Sequence, residues 1–128
     1  MIVDDQFFQT EGLRMCLEEK SIEADVALSG PEAISRIKAR FDKIDNGLEL
    51  SQYRMIFMDY SMPDMTGLET AMAILDLFRE RGFDPSNSEE CPSIVCLSAY
   101  TDQPFVEAAL EVGIKKYLQK PAAFDTIL

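Results

Sequence analysis

The chain has 128 residues, with 23 acidic and 12 basic side chains and a formal net charge of −11. This charge makes nucleic acid a poor direct partner, and it favours a cation or a basic protein surface. No stretch approaches the roughly 20 apolar residues of a membrane span, so we expect no membrane contact by this domain. The absence of histidine excludes a histidine base, a histidine metal ligand and a phosphohistidine within the chain.

Short apolar runs alternate with stretches of helical periodicity, which predicts an α/β domain with a parallel sheet and helices on both of its faces. The predicted strands are residues 1–3, 24–28, 55–58, 94–97 and 116–118. The predicted helices are residues 6–20, 31–41, 68–81 and 104–112, followed by the stub of a fifth helix at 123–128. With 47% hydrophobic residues, the chain can build one core, so we expect a single domain over residues 1–128.

Apolar side chains at helical spacing predict which side of each helix is buried. The inner side of the first helix is predicted to carry Phe8, Leu13, Cys16 and Leu17. The inner side of the third helix is predicted to carry Met72, Leu75 and Phe78.

Two enlarged polar loops interrupt this pattern, at about residues 42–52 and 83–92. Both precede strands, so we expect them at the edge of the sheet opposite the candidate site. There they would leave the chemistry intact and alter partner contacts or stability. The short first strand and the short last helix predict a domain clipped at both ends.

Polar residues follow four of the apolar runs: Asp4–Asp5, Asp59, Ser98 and Lys120. Ligands of open parallel sheets bind beyond the carboxyl ends of the strands, so these residues are predicted to share one site. Three carboxylates at close range repel one another, and a hard cation such as Mg²⁺ relieves that repulsion. Asp59 could then be a nucleophile towards phosphorus, with Ser98 and Lys120 stabilising the phosphoryl charge.

The simpler interpretation of paired aspartates after a strand is a solvated loop. For Asp4–Asp5 alone that interpretation is the better one. Asp59 and Lys120 also follow predicted strands, and four such polar positions at one edge of a sheet are not expected by chance. Together they favour a functional site over a solvated loop.

The segments IVDDQ, FMDYSMPDMTGLE, VCLSAY and KYLQKP, in this order, resemble those of response-regulator receiver domains. The resemblance covers essentially the whole chain. It implies a flavodoxin-like, doubly wound, five-stranded parallel sheet in the order 2-1-3-4-5, with the last helix truncated. It also implies the function of a two-component phosphorelay, in which the domain accepts a phosphoryl group and changes shape.

Residue roles follow from the resemblance. Asp59 would be the phosphoacceptor, Asp5 would bind Mg²⁺ directly and Asp4 mainly through a water molecule. The backbone carbonyl of Ser61 would complete the protein ligands of the metal, which also include Asp59. Ser98 would be the switch hydroxyl, Lys120 would contact the phosphoryl group, and Tyr117 would be the switch aromatic residue or simply a core aromatic residue.

The implied partner is a histidine kinase or a histidine phosphotransfer protein, and the enlarged loops fit receivers fused to hybrid kinases. Phe7 and Phe8, beside the acidic pair, could meet the phosphodonor or pack in the core. The odd number of cysteines favours reduced thiols and a cytoplasmic domain, although the parent protein could be attached to a membrane. The oligomeric state stays open.

Two other functions compete with this one. An aspartyl-nucleophile phosphatase or phosphotransferase commonly carries a second acid two positions after the nucleophile, where this chain has Ser61. A receiver that serves only as a docking scaffold, without phosphorylation, would not need Asp4, Asp5, Asp59, Ser98 and Lys120 together. The first interpretation, a signalling domain rather than a turnover enzyme, is therefore preferred.

Overall fold

The structure is a computed structural model that describes residues 1–49, 51–85, 89–98 and 103–119, with the backbone alone at 103–105 and 119. Strands and helices alternate along the chain. The strands are β1 (Ile2–Val3), β2 (Val26–Ala27), β3 (Met55–Asp59), β4 (Ser93–Ser98) and β5 (Lys116–Gln119). The helices are α1 (Phe7–Glu19), α2 (Gly30–Asp45), α3 (Gly67–Glu80) and α4 (Gln103–Glu111). The predicted helix at 123–128 lies outside the described residues.

The strands form one parallel sheet in the order β2-β1-β3-β4-β5, which confirms the predicted topology. Successive residues of a strand face opposite sides, so β3 contributes to two cores. Ile56 and Met58 pack with α2, α3 and α4 on one side, whereas Phe57 packs with Leu13 and Leu17 of α1 on the other. The sheet is therefore covered by helices on both faces.

The prediction for the inner side of α1 was wrong at Phe8. The buried residues of α1 are Thr10, Leu13 and Leu17, and Phe8 is 89% exposed. Phe8 precedes Leu17 by nine positions, about two and a half turns of helix, so it points to the opposite side. Met72 of α3 is likewise exposed, because the buried stripe runs through its neighbours Ala71 and Leu75 instead.

The predicted loop at 42–52 was wrong at its start, and the last residue of the loop is buried. Helix α2 continues to Asp45, because Ile44 packs against the core and Asn46 caps the helix with hydrogen bonds to the Asp42 carbonyl. Gln52, at the other end, is buried, and its side-chain amide donates to the Ile37 carbonyl at 2.7 Å.

The rest of this connection is described at residues 46–49 and 51–54, here named the 46–54 segment, and these residues are held on α2 at the amino-terminal edge of the sheet. The Arg40 guanidinium donates to the Ser51 carbonyl at 2.8 Å and lies 4.7 Å from the centre of the Tyr53 ring. Burial and the hydrogen bond to Asp25 raise the pKa of Tyr53 to about 12, so its hydroxyl stays protonated at neutral pH and donates to Asp25. The described residues of this segment are thus part of the fold, on the side away from the acidic residues.

Candidate functional site

The strand register brings the acidic residues of β1 and β3 together. Val3 of β1 pairs with Met58 of β3, so Asp4 and Asp59 follow at the same level of the sheet. The backbone of Asp4 is fixed by a hydrogen bond of 3.1 Å from its N–H to the Ala27 carbonyl. Because β3 is the middle strand, Asp59 lies between the ends of β1 and β4.

Asp4, Asp5 and Asp59 form one cluster of carboxylates. One ligand oxygen from each lies within 4.8 Å of the others. Asp4 and Asp59 are buried, at 6% and 7% exposure, whereas Asp5 is exposed, so the cluster opens to solvent on one side. Asp4 also accepts a hydrogen bond of 2.9 Å from the Gln6 backbone N–H. Three hard oxygen donors with an open side fit a small divalent cation such as Mg²⁺, which keeps several waters and takes few protein ligands.

The loop between β3 and α3 is closed tightly at its base. The Tyr60 N–H donates to the Leu97 carbonyl at 3.0 Å, and the Tyr60 carbonyl accepts from the Gly67 N–H at 2.7 Å. A Cβ atom on Gly67 would lie 2.3 Å from the Asp59 carbonyl oxygen, so only glycine allows α3 to start this close to β3. The loop that carries Ser61 is therefore fixed at both ends beside Asp59.

Helix α3 begins with a complete capping box. The Thr66 hydroxyl accepts from the Glu69 N–H at 3.1 Å, and the Glu69 carboxylate accepts from the Thr66 N–H at 3.3 Å. Such reciprocal bonds satisfy backbone donors that the first turn leaves without partners. The cap holds the start of α3, and with it Gly67, in place.

Ser98 and Tyr117 occupy β4 and β5 beside this loop. Ser98 is buried at the end of β4, one residue beyond Leu97, which pairs with Asp59. Tyr117 is half-buried on β5, and its ring centre lies 6.3 Å from that of Tyr60 at an interplanar angle of 60°. Lys120 lies outside the described residues, so its part in the site stays a prediction.

Two residues that position the site were missed by sequence reasoning. The sequence-based prediction assigns no role to Gly67, although its place directly before the α3 pattern was a usable signal. Tyr60 was not singled out, because its ring partner Tyr117 belongs to a strand far along the chain. No local spacing marks such a pair.

Within the described ranges, no helix combines the length and apolar content needed to cross a membrane.

Comparisons with known proteins agree with this geometry. A family model described as the response regulator receiver domain matches residues 1–128. Hybrid signal transduction histidine kinase B of Dictyostelium discoideum is 29% identical over 130 residues, which cover 100% of this chain and 6% of the kinase. Chemotaxis protein CheY of Treponema pallidum is 28% identical over 122 residues, which cover 94% of this chain and 71% of CheY.

A solved structure also matches closely in shape. It is a chain from the co-crystal structure of the Saccharomyces cerevisiae histidine phosphotransfer signaling protein Ypd1 and the receiver domain of its downstream response regulator Ssk1. Its TM-score is 0.76 at 28% identity, over 98% of this chain and 80% of that chain. With the sheet order and the carboxylate cluster, these matches show that the chain belongs to the response regulator receiver domains, the signalling domains of two-component phosphorelays.

Proposed function

We propose that Asp59 accepts a phosphoryl group from a phosphohistidine of a partner protein, with Mg²⁺ held by Asp4, Asp5, Asp59 and the Ser61 carbonyl. The observation that carries this proposal is the cluster of three carboxylates at the carboxyl ends of β1 and β3. Asp59 is the best acceptor among the three because it ends the middle strand. Asp59 is also buried, whereas Asp5 is exposed to solvent.

The transfer step is a displacement at phosphorus. A carboxylate oxygen of Asp59 forms the new P–O bond, the P–N bond to the partner's imidazole breaks, and its electron pair goes to the ring nitrogen. When bound, Mg²⁺ supplies neutralisation of the phosphoryl oxygens. Water later attacks the acyl phosphate, which releases inorganic phosphate and restores the Asp59 carboxylate. The domain therefore catalyses its own phosphorylation and the hydrolysis of its own acyl phosphate, without being a conventional turnover enzyme.

The remaining roles belong to the same proposal. The Ser98 hydroxyl donates to the bound phosphoryl group, Lys120 neutralises its charge, and Tyr117 moves towards the space that Ser98 leaves. The added negative charge biases an equilibrium between two arrangements that differ by a few kcal/mol. The burial of Ser98 and the half-burial of Tyr117 support this assignment.

Incubation with Mg²⁺ and acetyl phosphate, followed by intact-mass measurement, tests the proposed function. We expect a gain of one phosphoryl group that decays on dilution and that requires Mg²⁺. Continuous release of phosphate from phosphoesters would instead indicate the phosphatase function. No gain in mass would indicate a docking domain without phosphorylation.

An apolar patch on α1 supports a protein phosphodonor. Phe7, Phe8 and Met15, here named the α1 patch, are 56%, 89% and 58% exposed. Phe8 and Met15 are seven residues apart, two turns of helix, and so share one side of α1. The patch begins two residues after Asp5, beside the carboxylate cluster. We infer that a histidine phosphotransfer protein or kinase docks here, as exposed aromatic residues commonly anchor protein interfaces.

Phe8→Ala tests this docking surface, with phosphorylated Ypd1 as the donor probe. Because Phe8 is exposed, its loss should leave the fold unchanged and slow transfer from Ypd1 by about fivefold or more. Phosphorylation by acetyl phosphate should not change. Leu48→Ala is the matched control, since Leu48 is 74% exposed and lies in the 46–54 segment at the opposite edge. Equal transfer rates for wild type and Phe8→Ala would exclude the α1 patch.

The chain matches only a small part of one of its relatives. The chain spans 6% of the Dictyostelium hybrid kinase that it resembles. We propose that it works as the receiver of such a kinase relay. A cytoplasmic position of the domain belongs to this proposal, because the odd number of cysteines favours reduced thiols over disulfides.

A further inference from the structure

Tyr60 links the proposed phosphoacceptor to the proposed switch residue. It directly follows Asp59, and its backbone is fixed on both sides by the Leu97 carbonyl and the Gly67 N–H, at 3.0 and 2.7 Å. Its side chain leaves this anchored backbone and meets the ring of Tyr117 edge to face. A ring attached to the residue beside the acceptor thus contacts the ring that is proposed to move.

The two rings meet across a strand that separates them. Tyr60 follows β3 and Tyr117 belongs to β5, with β4 between them. Met58, Cys96 and Tyr117 are at the same level of the sheet. Tyr60 lies two residues after Met58 and packs, like Tyr117, against the core cluster on the side of α2, α3 and α4.

Ser98 lies on the same side of the sheet as this ring pair. It follows Cys96 of that cluster by two residues on β4, and residues two apart in a strand share a face. Tyr60 therefore lies next to the space into which Tyr117 would move. Any motion of Tyr117 towards Ser98 changes its contact with Tyr60.

We propose that Tyr60 is a positioning residue of the switch, whose ring holds Tyr117 in its ligand-free position and so sets how readily Tyr117 responds to phosphorylation of Asp59. This inference rests on the proposed function and adds its regulation. Edge-to-face pairs stabilise an arrangement beyond simple area burial, enough to shift an equilibrium by about two- to tenfold. If Tyr60 only filled space, an aliphatic side chain of similar bulk would serve equally well.

The test compares variants that keep or remove the ring at position 60. Tyr60→Phe keeps the ring, whereas Tyr60→Leu and Tyr60→Met keep apolar bulk without it. NMR spectra of isotope-labelled tyrosine rings are recorded with and without Mg²⁺ and beryllofluoride, and Tyr117→Phe assigns the Tyr117 signal. The signal of Tyr53, at the amino-terminal edge of the sheet, reports whether the fold is intact.

In the ligand-free protein, we expect Tyr60→Phe to keep the wild-type position of the Tyr117 signal. The ringless variants should move it towards the beryllofluoride-bound position, with a population shift of about two- to tenfold. An unchanged Tyr117 signal in the ringless variants, or an equal change in Tyr60→Phe, would overturn the inference. If wild type fails to respond to beryllofluoride, the proposed function fails. A ligand-free Tyr117 signal that moves in both ringless variants and not in Tyr60→Phe would still show that the ring of Tyr60 holds Tyr117, and no such difference would overturn the inference.

Discussion

Asp5 differs from the other two carboxylates of the cluster in its exposure. Asp4 and Asp59 are buried, but Asp5 faces solvent, so its replacement should leave the packing intact. It should also relieve repulsion, because one negative charge disappears from a cluster whose oxygens lie within 4.8 Å. In the absence of metal, we expect Asp5→Ala to be at least as stable as wild type.

Mg²⁺ should reverse this order of stability. A ligand present at 100 times its Kd adds about 2.7 kcal/mol to the free energy of unfolding, and this should raise the wild-type Tm by several degrees. Asp5→Ala should lose most of that gain. Asp64→Ala is the matched control, because Asp64 is exposed in the β3–α3 loop and lies outside the cluster. Thermal unfolding with and without Mg²⁺ measures the difference, and a full gain in Asp5→Ala would mean that the ion binds elsewhere.

Gly67 is the residue with the least room around it at the site. The methyl group of Gly67→Ala would lie 2.3 Å from the Asp59 carbonyl oxygen, so the end of β3 or the start of α3 must shift. We expect a loss of about 1–3 kcal/mol in the free energy of unfolding, together with slower phosphorylation of Asp59. Gly12→Ala, on the exposed side of α1, should instead stabilise by about 0.5–1 kcal/mol, because beyond its chain neighbours and the nearby helix backbone nothing lies within 4 Å of the added methyl group. Urea unfolding of both variants checks the contrast, which disappears if Gly67 tolerates alanine.

Among the elements, the 46–54 segment should contribute to the stability of the fold without affecting the chemistry of the carboxylate cluster. Gln52 donates to the Ile37 carbonyl and accepts from the Tyr53 N–H, and both bonds lie at the edge opposite the carboxylates. We expect Gln52→Ala to reduce the free energy of unfolding by about 1–3 kcal/mol, because it removes the side-chain partner of the Ile37 carbonyl and of the Tyr53 N–H. Asn46→Ala, which removes an exposed side-chain bond to the Asp42 carbonyl, should cost less. Equal rates of phosphorylation by acetyl phosphate in both variants would support the separation, and a slower rate in Gln52→Ala would refute it.

The elements also show what the sequence could predict and why the rest escaped it. Apolar runs followed by aspartate predicted both the parallel strands and the meeting of Asp4, Asp5 and Asp59, because strand ends of a parallel sheet converge. The side of α1 on which Phe8 lies depends on the phase of the helix, which a few apolar residues define poorly. The end of α2 depends on the packing of Ile44, a tertiary contact that overrides the loop preference of its polar neighbours.

Contacts between residues of different elements could not be predicted from the sequence for a different reason. The pair of Tyr60 and Tyr117 requires the register of β3, β4 and β5 together with both side-chain rotamers. The close approach of Gly67 to the Asp59 carbonyl requires the angle at which α3 leaves the loop. Neither quantity is encoded in local spacing.

At the scale of the whole molecule, the site and the enlarged segment lie at opposite edges of one sheet. The carboxylate cluster lies at the carboxyl ends of β1 and β3, and Arg40, Gln52 and Tyr53 hold the 46–54 segment at the other edge. The first edge would meet the proposed phosphodonor, and the second lies away from it. Substitutions in the 46–54 segment should therefore leave the chemistry of the carboxylate cluster unchanged.

The central claim, that the phosphoryl group resides on Asp59, has one direct measurement. Acyl phosphates are reduced by borohydride to the corresponding alcohol, so a phosphorylated aspartate becomes homoserine. The domain is phosphorylated with Mg²⁺ and acetyl phosphate, reduced, digested and mapped by mass spectrometry. We predict homoserine at position 59 in wild type and none in Asp59→Asn, and homoserine at Asp4, Asp5 or Asp64 with Asp59 unmodified would contradict the account.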